Sequence, residues 1–192
     1  MTRRGPGLPG RLRIVGGVWR GRRLAVLDQP GLRPTPDRVR ETLFNWLAPL
    51  ITGARCLDLY AGSGALGFEA ASRGADRVVM VEKMAKVVRV LHENRLVLNA
   101  RQVEVIQAEA GPWLATAGHA EPFDLVFLDP PFSEDLLGPS CAALAQGGWL
   151  ARGARVYLEA SAMTGFPALP EGWRLLRDKQ AGQVRYGLAE TR

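Results

Sequence analysis

The sequence predicts an α/β protein: a mainly parallel sheet with helices on both faces, a terminal antiparallel hairpin and an N-terminal β-hairpin extension. Three observations carry this. Residues Cys56–Glu82 read as strand, glycine turn, helix, strand and acid. Further downstream, short apolar runs continue to alternate with helical patterns. Among them Phe123–Leu128 is almost wholly apolar, as a strand covered on both faces must be, and it runs straight into Asp129-Pro130-Pro131-Phe132. At 192 residues the chain fits one domain with a small appendage, divided as a basic arm over residues 1–36 and a main domain over 37–192.

Residues 1–10 are rich in glycine and proline and are expected to stay disordered until bound. Leu12, Ile14 and the Val15–Trp19 run, then Leu24–Leu27, flank Arg20-Gly21-Arg22. Two apolar runs about a glycine-containing turn suggest a protruding β-hairpin with arginines at its tip. Pro30–Pro36 is a stiff connector, with Thr35 as helix N-cap and Pro36 as first helical residue. Val39, Leu43, Trp46, Leu47 and Leu50 then recur at helical spacing as a buried stripe, leaving Arg38 and Glu41 on another face.

In the central unit, Cys56–Leu59 forms a strand and Gly62-Ser63-Gly64 a tight turn. A helix from Ala65 to Arg73 follows, with Gly67 placed for close packing on the sheet. Val78–Val81 is the next strand, closed by Glu82, an acid suited to accept hydrogen bonds from both ribose hydroxyls. Two ligands compete for such a turn. A dinucleotide brings a pyrophosphate, which the carboxylate of Asp58 would repel; S-adenosylmethionine (SAM) brings a cationic amine, which Asp58 suits. The residues therefore favour SAM, with a nicotinamide dinucleotide as the rival.

A helix over Met84–Asn99 sets Met84, Val87, Val88 and Leu91 on one face, with His92 through Arg95 mostly elsewhere and His92 solvated. Val103–Ile106 is a third strand, and Glu109 stands beyond its carboxyl end, at the edge where α/β ligands bind. A helix near Leu136–Ala145, a strand over Arg155–Glu159, and the closing pair Trp173–Arg177 and Val184–Leu188 about a turn at Lys179–Gly182 complete the chain. This layout matches a Rossmann-like SAM-dependent methyltransferase sheet.

The Asp-Pro-Pro-Phe turn is the most chemically specific feature. Two prolines stiffen it and remove two backbone donors, leaving carbonyls that only accept. An amine on an aromatic ring is a poor nucleophile because its lone pair is delocalised. The Asp129 carboxylate and the Pro130 carbonyl can hold its two hydrogens and favour a tetrahedral nitrogen, while Phe132 stacks on the extruded base. A ring-carbon methyltransferase commonly needs a cysteine in this loop; Cys56 and Cys141 lie elsewhere.

Net charge is +6, with ten arginines against Asp28 and Asp37 in residues 1–40, so the front of the chain carries +8 and the remainder −2. Clustered arginine is the electrostatic footprint of a phosphate-polymer binder. No apolar run is long enough to span a bilayer, no secretory pattern is visible, and two cysteines and two histidines give no metal-ligand spacing. A cytoplasmic monomer without a metal is the expectation.

The segments RPTPDRVRETLFNWL (Arg33–Leu47), LDLYAGSGALGFEA, FDLVFLDPPF and AGQVRYGL together resemble the RsmD family, bacterial small-subunit ribosomal RNA guanine-N(2) methyltransferases. The resemblance spans Val15 to the tail. It implies SAM as methyl donor and a guanine of 16S rRNA, guanine 966, as acceptor, within the small ribosomal subunit or an assembly intermediate. Carried over, it places SAM on Asp58, Gly62, Ser63, Gly64 and Glu82, with Tyr60, Ala61, Lys83, Ala108 and Glu109 completing the candidate cofactor set. Glu109 stands where an aspartate near the adenine amine is the usual pattern. The base falls to Asp129, Pro130, Pro131 and Phe132. The candidate RNA contacts are Arg11, Arg13, Arg20, Arg22, Arg23, Arg33 and Arg38, the last at the mouth of the site. Other acceptors open on the residues alone are exocyclic amines of DNA bases and protein glutamine; a SAM sensor and a dehydrogenase are the remaining readings.

Overall fold

A computed structural model describes residues 10–27, 36–116 and 121–192. The expectations for residues 1–9, Arg33, Thr35 and His119 fall outside the described residues. Strands β1 (Gly10–Arg13) and β2 (Arg23–Val26) form an antiparallel ribbon. Helix α1 (Asp37–Leu47) leads to β3 (Arg55–Asp58), α2 (Ala65–Ser72), β4 (Arg77–Glu82), α3 (Ala85–Leu98), β5 (Val103–Gln107), α4 (Ala110–Leu114) and β6 (Phe123–Leu128). Helix α5 (Leu137–Gln146) and strands β7 (Leu150–Ser161), β8 (Arg174–Ala181) and β9 (Val184–Glu190) finish the chain. The large sheet has the order β5-β4-β3-β6-β7-β9-β8, parallel through β7 and antiparallel beyond it.

Alternation along each strand divides the core into two layers. Cys56, Val78, Leu125, Phe127 and Tyr157 face α1, α2 and α3. Leu57, Val79, Val126, Val156 and Leu158 face α4 and α5. Both sets are fully buried, which is why β6 shows no polar alternation. Strand order reverses between β3 and β6, so their carboxyl ends flank the crevice where this architecture binds ligands.

Several local expectations are corrected. The first arm strand stops at Arg13 instead of continuing to Trp19. Pro36 occupies the N-cap of α1, not its first turn, and the helix ends at Leu47, leaving Leu50 41% exposed. The buried stripe gains Phe44, and also Arg40. On α3, Met84 is exposed and sits at the N-cap, whereas Asn94 is buried. His92 is exposed, as read from the sequence. Strand β7 runs from Leu150 to Ser161, and the final turn shrinks to Gly182-Gln183 because β8 continues to Ala181.

The arm does not protrude freely. Leu12, Ile14, Leu24 and Val26 are buried in the same cluster as α1, α2 and α3. The segment after β1 lies on the end of α2: Val18 N–H donates to the Ser72 carbonyl at 2.8 Å, and the Ser72 hydroxyl donates to the Gly16 carbonyl at 2.6 Å. Gly17 has φ of 75°, and a Cβ there would stand 1.9 Å from the Ser72 carbonyl oxygen, so only glycine allows this approach. On the other side, the Asn94 amide takes both backbone groups of Ala25.

Beneath the arm runs a buried charge network. Arg40 and Glu69 side chains are both 0% exposed and pair at 3.3 Å. Arg40 also donates to the Arg13 carbonyl at 2.8 Å and to the Asp37 carboxylate. Glu69 accepts from Val15 N–H at 2.9 Å and from Arg73 Nε at 2.7 Å. One of the ten arginines at the front of the chain is therefore the bolt between arm, α1 and α2.

Candidate active site

The carboxyl edge of the sheet gathers the residues singled out from the sequence. β3 ends at Asp58, and the chain turns through Gly62 and Gly64, both at positive φ, into α2. Asp58 is 2% exposed, and its Oδ2 accepts the Gly67 N–H at 2.9 Å. Its carboxyl thus satisfies an orphan donor of the first turn of α2, whose Gly64 N-cap has no side chain to do so. Burial, reinforced by the charge of Glu82 and opposed by the Gly67 bond, pushes Asp58 up to about 7. Gly67 allows the intimate helix–strand contact: a Cβ there would meet Met80 Cε at 2.2 Å and Asp58 Oδ2 at 3.1 Å.

Glu82 ends β4 half-buried and braces the turn from the neighbouring strand. Oε2 accepts from Gly62 N–H at 3.1 Å and Oε1 from Met84 N–H at 2.7 Å. Each carboxylate oxygen keeps a second lone-pair direction, so this bracing is compatible with holding a diol. Tyr60 is half-buried, with its hydroxyl 2.7 Å from the Ser140 hydroxyl on α5, a partner that sequence reasoning missed. Ala61 is buried, with its N–H on the Val81 carbonyl, and the Ala108 N–H bonds the Glu82 carbonyl. Glu109 is exposed at the N-cap of α4, beyond β5. Lys83 reaches across from β4 to Glu134 behind the proline turn, at 3.2 Å, an exposed pair joining the two rims of the crevice.

Asp129 follows β6 directly and is partly exposed; Pro130 is buried, Pro131 exposed and Phe132 48% exposed. The Pro131 carbonyl accepts the Glu134 N–H at 3.0 Å, which closes the turn and presents Phe132 to solvent. An aromatic ring left half in water on a stiff turn is a ready stacking surface. The candidate cofactor residues Asp58, Gly62–Gly64 and Glu82 and the Asp129–Phe132 turn are thus brought to one edge, at the ends of the neighbouring strands β4, β3 and β6.

The arm meets the same edge from the side. Ala25, Val26 and Leu27 line a narrow crevice with Gly62, Ser63, Val87 and Leu91. Arg11, Arg13, Arg20, Arg22, Arg23 and Arg38 are all exposed. Arg13 is engaged by Asp37 at 2.8 Å, and Arg22 by the Val97 carbonyl at 3.2 Å. A cavity of about 520 Å³ opens instead at the opposite, amino edge, lined by Arg55, Arg77, Arg95 and Arg101. It holds none of the glycine turn, Glu82 or Asp129. Among the described residues no group of three or more metal-type ligands occurs, and no helix is long and apolar enough to cross a membrane.

The residues fit SAM by the chemistry of the donor set: at Asp58 a buried carboxyl without a basic partner among the described residues, and at Glu82 a diol-type acceptor. The comparisons agree. The family model described as "Conserved hypothetical protein 95" matches residues 12–190. Ribosomal RNA small subunit methyltransferase D of Escherichia coli K12 is 50% identical over 179 residues, covering 93% of this chain and 89% of that protein. The protein of the same name from Haemophilus influenzae is 44% identical over 189 residues, 97% of each. A solved Escherichia coli structure, assigned provisionally as a methyltransferase, superposes with a TM-score of 0.89 at 46% identity, covering 95% of this chain and 98% of that one. The fold is that of the SAM-dependent methyltransferases, and the chain belongs to the RsmD family.

Proposed function

We propose that this protein methylates the exocyclic N(2) amine of a guanine in 16S rRNA, at the guanine 966 site, during small-subunit biogenesis. Methyltransferase chemistry on ribosomal RNA is supported by the relatives' names and by 50% identity across nearly the whole chain. The observation that carries the amine assignment is the Asp129-Pro130-Pro131-Phe132 turn at the end of β6, with Phe132 half in solvent; β6 pairs with β3, which leads into the glycine turn.

SAM, when bound, supplies an electrophilic methyl group on a sulfonium. The cofactor-side roles then follow: Asp58 takes its amine, Glu82 its ribose hydroxyls, and the Gly62–Gly64 backbone lets it approach closely. Tyr60, Ala61, Lys83, Ala108 and Glu109 border that space. On the base side, the Asp129 carboxylate and Pro130 carbonyl each accept one amine hydrogen. That arrangement turns the nitrogen lone pair out of the ring plane and toward the methyl carbon. Methylation would leave the nitrogen with one proton to lose, and the Asp129 carboxylate, already hydrogen-bonded to it, would take it and pass it to water. Positioning and charge complementarity account for the acceleration, with no covalent enzyme intermediate. The arm arginines grip the RNA backbone around the extruded base.

The deciding experiment is transfer of labelled methyl from SAM to 16S rRNA, free and within small subunits lacking the modification, followed by nucleoside identification. Label in N(2)-methylguanosine at one position supports the proposal. Label in another nucleoside would move the acceptor to a different exocyclic amine of RNA or DNA, the alternative that an Asp-Pro-Pro-aromatic turn also serves.

A further inference from the structure

Glu159 is a buried carboxyl that the mechanism above leaves unused. It lies on β7, 4% exposed, and its Oε2 accepts the Tyr157 hydroxyl at 2.7 Å. Its partner is a phenol rather than a cation, and Tyr157 is itself 0% exposed. Burial pushes the carboxyl above its ordinary range. A lone acid inside a core costs stability, and an apolar residue would fill the place at less expense. Such local conflicts concentrate at functional sites.

Its position points to which function. The β6–β7 ladder pairs Phe127 with Tyr157 and Leu128 with Leu158. The ladder ends there with β6, and the same register carried one residue further would set Asp129 beside Glu159, on the face that Phe127 and Tyr157 share, at about the 4.8 Å spacing of neighbouring strands. Asp129 acts electrostatically on the Tyr157 hydroxyl, which places the three groups in one neighbourhood. Glu159 therefore borders the place where the target amine is held.

A guanine whose N(2) amine sits on Asp129 carries its N1–H next to that amine. Guanine differs from 2-aminopurine, which keeps the same amine, at O6 and at N1: at N1, the position next to the amine, guanine has a donor and 2-aminopurine a lone pair. A carboxyl beside the amine clamp accepts the donor and repels the lone pair. We propose that Glu159 reads the N1–H of the target guanine and is the specificity-determining residue of the base site. This rests on the guanine assignment made above. Tyr157 serves as a positioning residue, fixing one oxygen so that the other faces the base.

The test uses the whole protein and small subunits whose 16S rRNA carries either guanosine or 2-aminopurine at the target position. Wild type should prefer guanine in kcat/KM by at least about 100-fold, as polar sites reject analogues that leave a buried group unpaired. Glu159→Gln, whose amide can donate to a lone pair, should compress that preference below about tenfold and leave SAM affinity unchanged within about twofold. Tyr157→Phe should lower the rate on guanine while keeping the preference. Equal loss on both bases in Glu159→Gln would reduce Glu159 to a structural residue and overturn the inference. So would equal rates on both bases in wild type, whatever the variants do. Failure of wild type to label guanine at all would instead overturn the guanine assignment, and this inference with it.

Discussion

Arg40 Nη1 stands 3.3 Å from Glu69 Oε2 with both side chains closed off from water. Each charge has a second ionic partner, Asp37 for Arg40 and Arg73 for Glu69, so losing one member weakens the buried network without stranding the other. Arg40→Met should therefore lower unfolding stability by about 1.5–3 kcal/mol, the worth of hydrogen bonds to a charged group, and Arg40→Met with Glu69→Leu should recover part of that loss. Urea unfolding of the two variants decides it. A single variant as stable as the parent would mean that the pair is open to solvent.

Asp129→Ala should cut kcat by about 10²–10³-fold, the usual cost of removing one aimed polar group from a transition state. SAM affinity should stay within about twofold, because the residues that would hold the cofactor lie on β3 and β4. Isothermal titration alongside methyl transfer separates the two; failure of a folded variant to bind the cofactor would contradict this division.

The elevated pKa of Asp58, about 7, makes two pH predictions with the same origin. The folded protein holds this proton to higher pH than the unfolded chain does. The associated stability is therefore full below about pH 4 and lost as pH rises through about 7. A cationic ligand favours the carboxylate, so binding expels the proton in that window. SAM affinity should climb by up to about tenfold per pH unit toward pH 7 and then flatten. In Asp58→Asn the slope should vanish. A flat wild-type profile would remove Asp58 as the amine's partner.

Replacing Arg20, Arg22 and Arg23 by alanine should weaken RNA binding and lower the slope of log affinity against log salt. The expected drop is about 0.7–0.9 for each RNA phosphate that an arginine no longer neutralises. SAM binding should be unaffected. An unchanged slope would take these arginines off the RNA.

Where patterns are local, the sequence was readable. The glycine turn, Glu82 and the Asp129 turn each sit at the end of a short apolar strand, and strand ends at one edge of a parallel sheet necessarily converge. What stayed hidden depends on partners far along the chain. Val15–Trp19 looks like strand continuation, but Gly16 and Gly17 serve a close approach to Ser72 and Arg73, more than fifty residues away. Arg40 reads as one more of the ten arginines in residues 1–40, and only the placement of Glu69 reveals it as core. Asn94 sits among polar helix residues, yet its amide matches the arm backbone as a strand neighbour would. Glu159 is adjacent to Asp129 only through sheet register, which no spacing along the chain displays.

The docked arm has a consequence for how the molecule is made. Its first strand leaves the ribosome early and meets α1 first, through Asp37 and Arg40, but the arm's other partners, Glu69, Ser72, Asn94 and Val97, come 53 to 75 residues later. Closing loops of that size is slow, so the arm should be a late arrival in folding, after α2 and α3 have formed. Until then Leu12, Ile14, Leu24 and Val26 are sticky, and so is the surface awaiting them. A shortened chain lacking the arm would keep that bare surface permanently and would be expected to aggregate.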